Sequence, residues 1–198
     1  MATLHENTLN FNKKMTVTNT GGNLSTDAGL VLVKEFLYSI GFEQLMEKEL
    51  HFQDSRLLPT HSNETILEQL IFQLIAGYDT DASANILRQD PFFQQMLEKS
   101  TLASQPSLSR FWGRISESPD ALVQLQALNQ AMLDKVRIQR NATEMVLDLD
   151  STYSDTYGNQ EETAFNRHYQ TTGYHPLVAF DGLTKDFLKA ELRSGNTY

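Results

Sequence analysis

Cysteine is absent from the 198 residues, which excludes a disulfide framework and any thiolate metal site. Any metal ion would therefore be bound by carboxylate oxygen or imidazole nitrogen. No run of apolar residues approaches the ~20 that a membrane-spanning helix requires. The first residues also lack the basic-then-apolar order of a signal peptide. These absences predict a cytoplasmic protein that has no contact with a membrane.

Positive charge is also scarce, with 16 Lys and Arg against 25 Asp and Glu and a net charge of −9. This balance argues against a protein that coats nucleic acid through bulk charge, although a local basic patch can still bind it. Hydrophobic residues make up 40% of the chain. That fraction and the chain length allow one large domain or two small ones, each with an apolar core.

Helical signals dominate residues 25–139. Residues 1–23 are polar and predict an extended arm, with one short strand at 15–18. Ser25, Thr26 or Asp27 is the predicted cap of the first helix, and Gly41 its end. Apolar spacing and caps then predict further helices at 42–50, 63–76, 81–88, 92–99, 104–115 and 118–139. The helix at 63–76 has a wide apolar stripe, formed by Ile66, Leu67, Leu70, Ile71, Leu74 and Ile75.

The apolar period changes from 3.6 to 2 after residues 140–143. The alternation predicts three strands, at 145–150, 174–180 and 187–193, with a polar loop at 153–172 and a hairpin loop at 181–186. We therefore predict an α+β chain with a helical region at 1–142 and a strand region at 143–198. Three strands cannot cover both faces of a sheet, so we expect the strand region to be an incomplete domain of a longer protein.

The segment Met145-Val-Leu-Asp-Leu-Asp-Ser-Thr152 changes from apolar strand to polar loop at Asp150. Side chains alternate along a strand, so Asp148 and Asp150 share one face, about 6.5–7 Å apart, and the odd-numbered residues can enter a core. A carboxylate at the end of a strand is a usual ligand of a hard cation. The alternative is an aspartate that caps a turn, and the local pattern does not distinguish the two.

A second candidate site lies in the predicted helix at 104–115. Arg110 and Arg114 are four residues apart and share one helical face. Hydroxyl groups gather at the start of this helix, where a helix N-terminus favours phosphate; they belong to Ser104, Ser107 and Ser109. With the preceding helix the segment could form a helix-turn-helix-like unit that binds DNA. The alternative is a capped surface helix with two solvated arginines.

Five segments, in this order, resemble the N-terminal part of bacterial DDE transposases of the insertion sequence 1380 family. The segments are Asn19-Thr-Gly-Gly-Asn-Leu-Ser-Thr-Asp-Ala-Gly-Leu30, Gly77-Tyr-Asp with Leu87-Arg-Gln-Asp-Pro91, Leu102-Ala-Ser-Gln-Pro-Ser-Leu-Ser-Arg-Phe111, Leu147-Asp-Leu-Asp-Ser-Thr152 with Gly158-Asn-Gln-Glu161, and Tyr174-His-Pro-Leu-Val-Ala-Phe-Asp-Gly182. The resemblance implies a ribonuclease H-like sheet that opens with three antiparallel strands. It also implies DNA as partner, both as transposon terminal inverted repeats and as target.

The same resemblance implies chemistry by three carboxylates and two divalent cations, Mg²⁺ or Mn²⁺. Asp150 takes the place of the first catalytic aspartate, with Asp148 as its neighbour. Asp181, Asp186 and Glu191 are poor substitutes for the other two acids, because they lie in or beside the hairpin loop. One aspartate cannot hold two ions about 3.5–4 Å apart. We therefore expect weak or absent metal binding and no catalytic activity in this chain alone.

The loop Arg167-His-Tyr169 leads towards the expected site, and Arg167 or His168 could contact a phosphate there. The alternative is that both are ordinary surface residues. A homo-oligomer or a full-length transposase is the expected protein partner. Two non-enzymatic hypotheses remain: a DNA-binding module that inhibits transposition, and a structural helical scaffold.

Overall fold

The computed structural model describes residues 7–18, 21 and 25–197. Residues 1–6, 19, 20 and 22–24, which belong to the predicted arm and to the first resembling segment, lie outside this description. The chain divides into two compact units, Met1–Leu128 and Asn129–Tyr198. This division falls within a long helix, ahead of the boundary that we predicted at residue 142. Helices and antiparallel strands together make the fold α+β, as predicted.

The first unit combines a short strand pair with helices. The strands are β1 (Asn7–Thr8) and β2 (Thr16–Val17), which pair antiparallel. The helices are α1 (Leu30–Ser39), α2 (Phe42–Glu49), α3 (Asn63–Ile75), a 3₁₀ turn (Asp81–Ser83), α4 (Ala84–Leu87), α5 (Pro91–Met96), α6 (Gln105–Glu117) and α7 (Ala121–Arg140), whose last turns belong to the second unit. The short strand predicted at 15–18 is confirmed by β2, whereas its partner β1 was not predicted.

Caps explain where the helices begin and end. The Ser62 hydroxyl accepts a hydrogen bond from the Thr65 N–H at 3.2 Å and starts α3. The Asp90 carboxylate accepts one from the Phe92 N–H at 2.8 Å and starts α5. The predicted cap of α1 was wrong. The helix begins after Gly29, and the Asp27 carboxylate accepts a hydrogen bond from the Tyr78 hydroxyl instead.

The core of the first unit consists of aromatic and aliphatic side chains that are at most 1% exposed, including Ile66, Phe72, Phe93, Leu108 and Phe111. The predicted apolar stripe of α3 is correct in its first turns and wrong in its last. Leu74 and Ile75 are 60% and 51% exposed, whereas Gln69 and Gln73 are buried. Gln69 is tolerated there because its amide exchanges two hydrogen bonds with the Ala103 backbone, at 3.0 and 2.8 Å.

The second unit contains two three-stranded antiparallel sheets. The first has the order β3 (Leu147–Ser151), β7 (Leu177–Asp181), β8 (Phe187–Glu191). It confirms that the three predicted strands are neighbours in one antiparallel sheet. The second has the order β4 (Ser154–Asp155), β6 (Thr171–Tyr174), β5 (Ala164–Asn166), so the prediction of a simple polar loop at 153–172 was wrong. The predicted strand at 174–180 is interrupted at Pro176, which has no N–H to donate to a sheet.

Buried polar side chains hold the turns of the second unit. Asn166 is fully buried and accepts hydrogen bonds from the backbone N–H groups of His168 and Tyr169. Asp181 is fully buried and accepts from the Leu183 N–H at 3.0 Å and from the Arg137 guanidinium at 2.9 Å. The Leu183 N–H is the main group that lowers the pKa of Asp181, against the opposing effect of burial.

The odd-numbered apolar residues of β3 and of the segment before it are about half exposed. Met145, Leu147 and Leu149 are 52%, 56% and 55% exposed. The prediction that these odd-numbered residues enter a core was wrong, because about half of each side chain is exposed. Leu133 of α7 is one of the buried apolar residues of the second unit.

Candidate functional site

Asp150 lies near the end of β3, opposite Val178 of β7, and Asp148 lies opposite Phe180. Both side chains are exposed, and neither forms a hydrogen bond or ion pair with another described residue. In particular, no described backbone N–H donates to Asp150, so the turn-capping alternative is not what the structure shows. Both carboxylates are therefore free to bind a ligand from solvent.

Two of the three acids in or beside the hairpin, Asp181 and Asp186, are already engaged. Asp181 pairs with Arg137, and Asp186 pairs with Arg140 at 2.7 Å and accepts from the Thr184 hydroxyl. Within the part of the chain that the structure describes, no three acidic or histidine side chains come together as a possible metal site. The two free carboxylates have the oxygen chemistry that Mg²⁺ prefers. They can supply part of a metal site, and the neighbouring acids do not complete it.

Arg167 and His168 lie in the turn between β5 and β6, and both are exposed. Asn166 fixes the position of this turn, because its side chain accepts hydrogen bonds from the backbone N–H groups of His168 and Tyr169. Aromatic rings of the turn also pack. Tyr169 stacks on Tyr153 with ring centroids 4.7 Å apart, and the rings of His168 and Tyr169 pack edge to face. The turn therefore presents Arg167 and His168 to solvent from a fixed base. A phosphate contact by these two residues stays a prediction.

In the first unit, α6 forms one side of a cleft of about 570 Å³. The cleft brings together three of the predicted DNA-binding residues, Ser107, Arg110 and Arg114. Ser109 is exposed and lies outside it. The Ser104 hydroxyl does not cap the helix and lies 3.2 Å from the Ser107 hydroxyl. The predicted gathering of hydroxyl groups is thus only partly present at the cleft.

The loop between α2 and α3 forms the opposite side of the cleft. No sequence pattern predicted that this loop would be part of the site. This loop supplies five lining residues: Ser55, Arg56, Pro59, Thr60 and His61. Between Arg56 and Pro59 the loop also contains Leu57 and Leu58, whose side chains are 96% and 95% exposed. Residues in an irregular loop have no periodicity, so no sequence pattern could place them beside α6.

Asn63, the first residue of α3, joins the two sides of the cleft. Its Oδ1 atom accepts hydrogen bonds from Arg114 at 3.2 and 2.9 Å and from Arg56 at 3.2 Å. Arg56 also pairs with Asp54, whose pKa falls to about 2 because of that arginine. By contrast, the Arg110 guanidinium has no described partner. The alternative of solvated arginines therefore fits Arg110 and does not fit Arg114.

The cleft is electropositive in a chain that is acidic overall. Burial, followed by the nearby charge of Arg56, lowers the pKa of Arg114. The pKa of His61 is also lowered, by burial and then by the charges of Arg88, Lys99 and Arg56. Positive charges crowded into a concave surface attract anions. The arrangement suits a phosphate group, which arginine binds through two parallel hydrogen bonds.

No helix among the described residues is long and apolar enough to cross a membrane. Searches of curated proteins and of solved structures found no match. The model of one protein family, described as transposase DDE domain group 1, matches residues 7–198. Because that match spans nearly the whole sequence, the chain belongs to the transposase DDE domain family, group 1.

Proposed function

We propose that the chain acts in DNA transposition and carries the first catalytic aspartate, Asp150, of an insertion-sequence transposase of the 1380 family. The observation that carries this proposal is the family match over a chain in which Asp150 stands free and exposed at the end of β3. The antiparallel order β3–β7–β8 supports a ribonuclease H-like sheet. The absence of a described partner for Asp150 supports a role towards a ligand.

The proposed reaction is an in-line displacement at phosphorus. An attacking water or 3′-hydroxyl oxygen forms a new P–O bond and loses its proton to solvent, while the bond to the leaving oxygen breaks and that oxygen takes up a proton. Two divalent cations, Mg²⁺ or Mn²⁺, would activate the attacking oxygen and neutralise charge on the leaving one. Asp150 would be one of the carboxylates that hold them, with Asp148 as its neighbour on the same face of the strand. The oxygen donors and their exposure fit such an ion.

We further propose that these 198 residues alone do not cleave or join DNA. Two ions at catalytic spacing need several carboxylates, and one aspartate cannot fix both. Asp181 and Asp186 are committed to Arg137 and Arg140. Weak binding of a single cation at Asp150 is the expected behaviour of the isolated chain.

The proposed partner is DNA, as terminal inverted repeats and as target. Contacts would come from the α6 side of the cleft, through Arg110, Arg114 and Ser107, with Ser109 at its margin. Arg167 and His168 are the proposed phosphate contacts on the unit that carries Asp150. A second copy of the chain or a longer transposase is the proposed protein partner, and the bacterial cytoplasm is the proposed location.

A second candidate function is a non-catalytic DNA-binding module that inhibits transposition. The electropositive cleft favours it, because such a surface can bind DNA whether or not Asp150 takes part in chemistry. The two candidates differ in what they require of Asp150. Only the first needs a carboxylate at that position.

An excision assay separates the two candidates, using a full-length transposase that contains this chain and a reporter flanked by the terminal repeats. Asp150→Asn keeps the size of the side chain and removes its charge, and we expect excision to be lost. Asp155→Asn makes the same change at an exposed position of β4 and should leave excision intact. Normal excision by Asp150→Asn would favour the non-catalytic module.

Metal binding can be followed without any activity. Mn²⁺ broadens the amide resonances of residues close to it, so titration of the isolated chain should broaden residues 148–152 and the opposite Val178 first. Asp150→Asn should remove this local broadening, while Asp155→Asn retains it. Uniform broadening over all acidic regions would contradict a metal-binding role for Asp150.

A further inference from the structure

The cleft between α6 and the loop at 55–61, called here the basic cleft, has two walls of different origin. One wall is a regular helix that supplies Ser107, Arg110 and Arg114, and the other is an irregular loop that supplies Arg56 and His61. At about 570 Å³ and open to the surface, it is larger than one small ion requires. Its shape therefore suits one charged group of a larger molecule that continues beyond the cleft.

Like charges are held together at the base of the basic cleft. Arg56 and Arg114 donate to the same Oδ1 atom of Asn63, at 3.2 and 2.9 Å, so their guanidinium groups are close neighbours. Asn63 is neutral and does not compensate either charge. Asp54 forms an ion pair with Arg56 and its charge also acts on Arg114, which has no ion pair of its own among the described residues. The electrostatic repulsion between these guanidinium groups decreases when an anion enters the cleft.

Arg110 adds a third guanidinium one turn before Arg114 on the same helix. Its side chain has no described partner, whereas its backbone carbonyl accepts a hydrogen bond from Arg114 at 3.1 Å. The hydroxyl groups of Ser107 and Thr60 also line the cleft and can donate to an anionic oxygen. Glu117 is the acidic residue of the lining. The cations therefore outnumber the carboxylates that line the cleft.

We propose that the basic cleft binds one phosphate of the DNA backbone, between Arg110 and Arg114 on α6 and Arg56 on the loop. The proposal rests on the DNA partner proposed above and deepens it, because it makes the loop at 55–61 part of the DNA interface. Guanidinium forks and hydroxyl donors match the oxygen atoms of a phosphodiester. Asn63 positions Arg56 and Arg114 before DNA arrives, so little side-chain ordering is needed on binding.

His61 provides a reporter inside the basic cleft. It faces Arg56, Arg88 and Lys99, and burial together with these cations holds its pKa below the ordinary value. The further charged residues that line the cleft are Arg110, Arg114 and Glu117. A bound phosphate offsets the cations and stabilises the protonated imidazole, so the pKa of His61 should rise when DNA binds.

The test measures binding of the intact chain to a short fluorescein-labelled duplex by anisotropy, between about 50 and 200 mM salt. Arg110→Ala should weaken binding roughly tenfold at the lower salt and reduce the salt slope by about one, as expected for one lost phosphate contact. Arg110→Lys should retain the slope. Lys14→Ala removes one positive charge from an exposed site outside the cleft and should change neither quantity. Arg110 has no described side-chain partner, so its removal should leave the fold intact.

The second measurement is an NMR titration of the His61 ring in the free chain, with the duplex and with inorganic phosphate. A pKa that rises with the duplex, together with the Arg110→Ala effect, supports the proposal. A response to inorganic phosphate alone makes the cleft a site for a free anion and overturns the DNA contact. Full-strength DNA binding by Arg110→Ala with an unmoved His61 also overturns it. That result leaves the proposed transposase function standing, because excision by Asp150 variants tests the function separately.

Discussion

The two units of the chain bury different kinds of side chain. In the first, the fully buried large residues are mainly apolar, with Phe72, Phe93 and Phe111 among them. In the second, the fully buried large residues are Asn166 and Asp181, and the apolar residues of β3 are about half exposed. The first unit is therefore held by a hydrophobic core. The second is held by backbone pairing and by polar turns.

This difference between the units corresponds to the side chains that each unit makes available to a ligand. A packed helical core gives a rigid base for Arg56 and Arg114, which both depend on Asn63 at the start of α3. An open sheet leaves the carboxylates of Asp148 and Asp150 accessible to a ligand. The units should accordingly respond differently to the loss of buried apolar atoms and to the loss of a buried charge, and three substitutions test this.

Phe72→Ala should have the largest effect, because Phe72 is completely buried in the first unit. The lost contacts and the cavity should lower the free energy of unfolding by about 3–5 kcal/mol. Urea unfolding followed through the fluorescence of Trp112, the single tryptophan, measures this unit. Leu74→Ala on the same helix is the control, since Leu74 is 60% exposed. Equal losses in the two variants would contradict the hydrophobic-core description.

Asp181→Asn should have an intermediate effect, confined to the second unit. Hydrogen bonds, that of Leu183 first, lower the pKa of Asp181 in the folded chain. The charged form therefore favours folding, fully so above the unfolded pKa of about 3.9, and this contribution disappears as pH falls through the folded pKa. Hydrogen exchange at Val146 and Leu183 should lose protection over that acid range. In Asp181→Asn protection should be low at neutral pH and should lack the acid transition.

Leu149→Ala should have the smallest effect. Its side chain is 55% exposed on the open face of β3, so truncation should cost less than about 1 kcal/mol. Hydrogen exchange of the β3–β7 amides, which reports opening of the second unit, measures the change. A loss as large as that of Phe72→Ala would mean that this face is covered in solution, and the contrast between the units would fail.

The helices of the first unit were largely predictable from caps and apolar spacing. Asp90 and Ser62 cap α5 and α3 through contacts between residues that are close in sequence, which a sequence pattern can reveal. The exposed end of α3 was not predictable. Gln69 can be buried because its amide forms hydrogen bonds with the Ala103 backbone, which is distant in sequence, and it also donates one to the buried Gln73. The apolar periodicity of a helix contains no information about such a partner.

The strands were predictable where apolar residues alternate and not where polar ones pair. The strands β3 and β8 lie close to the predicted segments, whereas β4 and β5 are short and polar, and their pairing with β6 depends on the turn that Asn166 holds. Asp150 could be selected because it closes an apolar strand. Arg56 and His61 could not, since the fold of an irregular loop brings them to α6.

Leu57 and Leu58 form the most exposed apolar pair described here, in a loop that connects α2 to α3. Exposed loop tips are the preferred places for a protease to cut, and chymotrypsin accepts leucine. Digestion should therefore begin at this pair. A single cut there places Arg56 on one fragment and Asn63 and Arg114 on the other. Within the cleft, the two fragments would then be joined by the hydrogen bonds that Arg56 donates to Asn63 and to the His61 carbonyl.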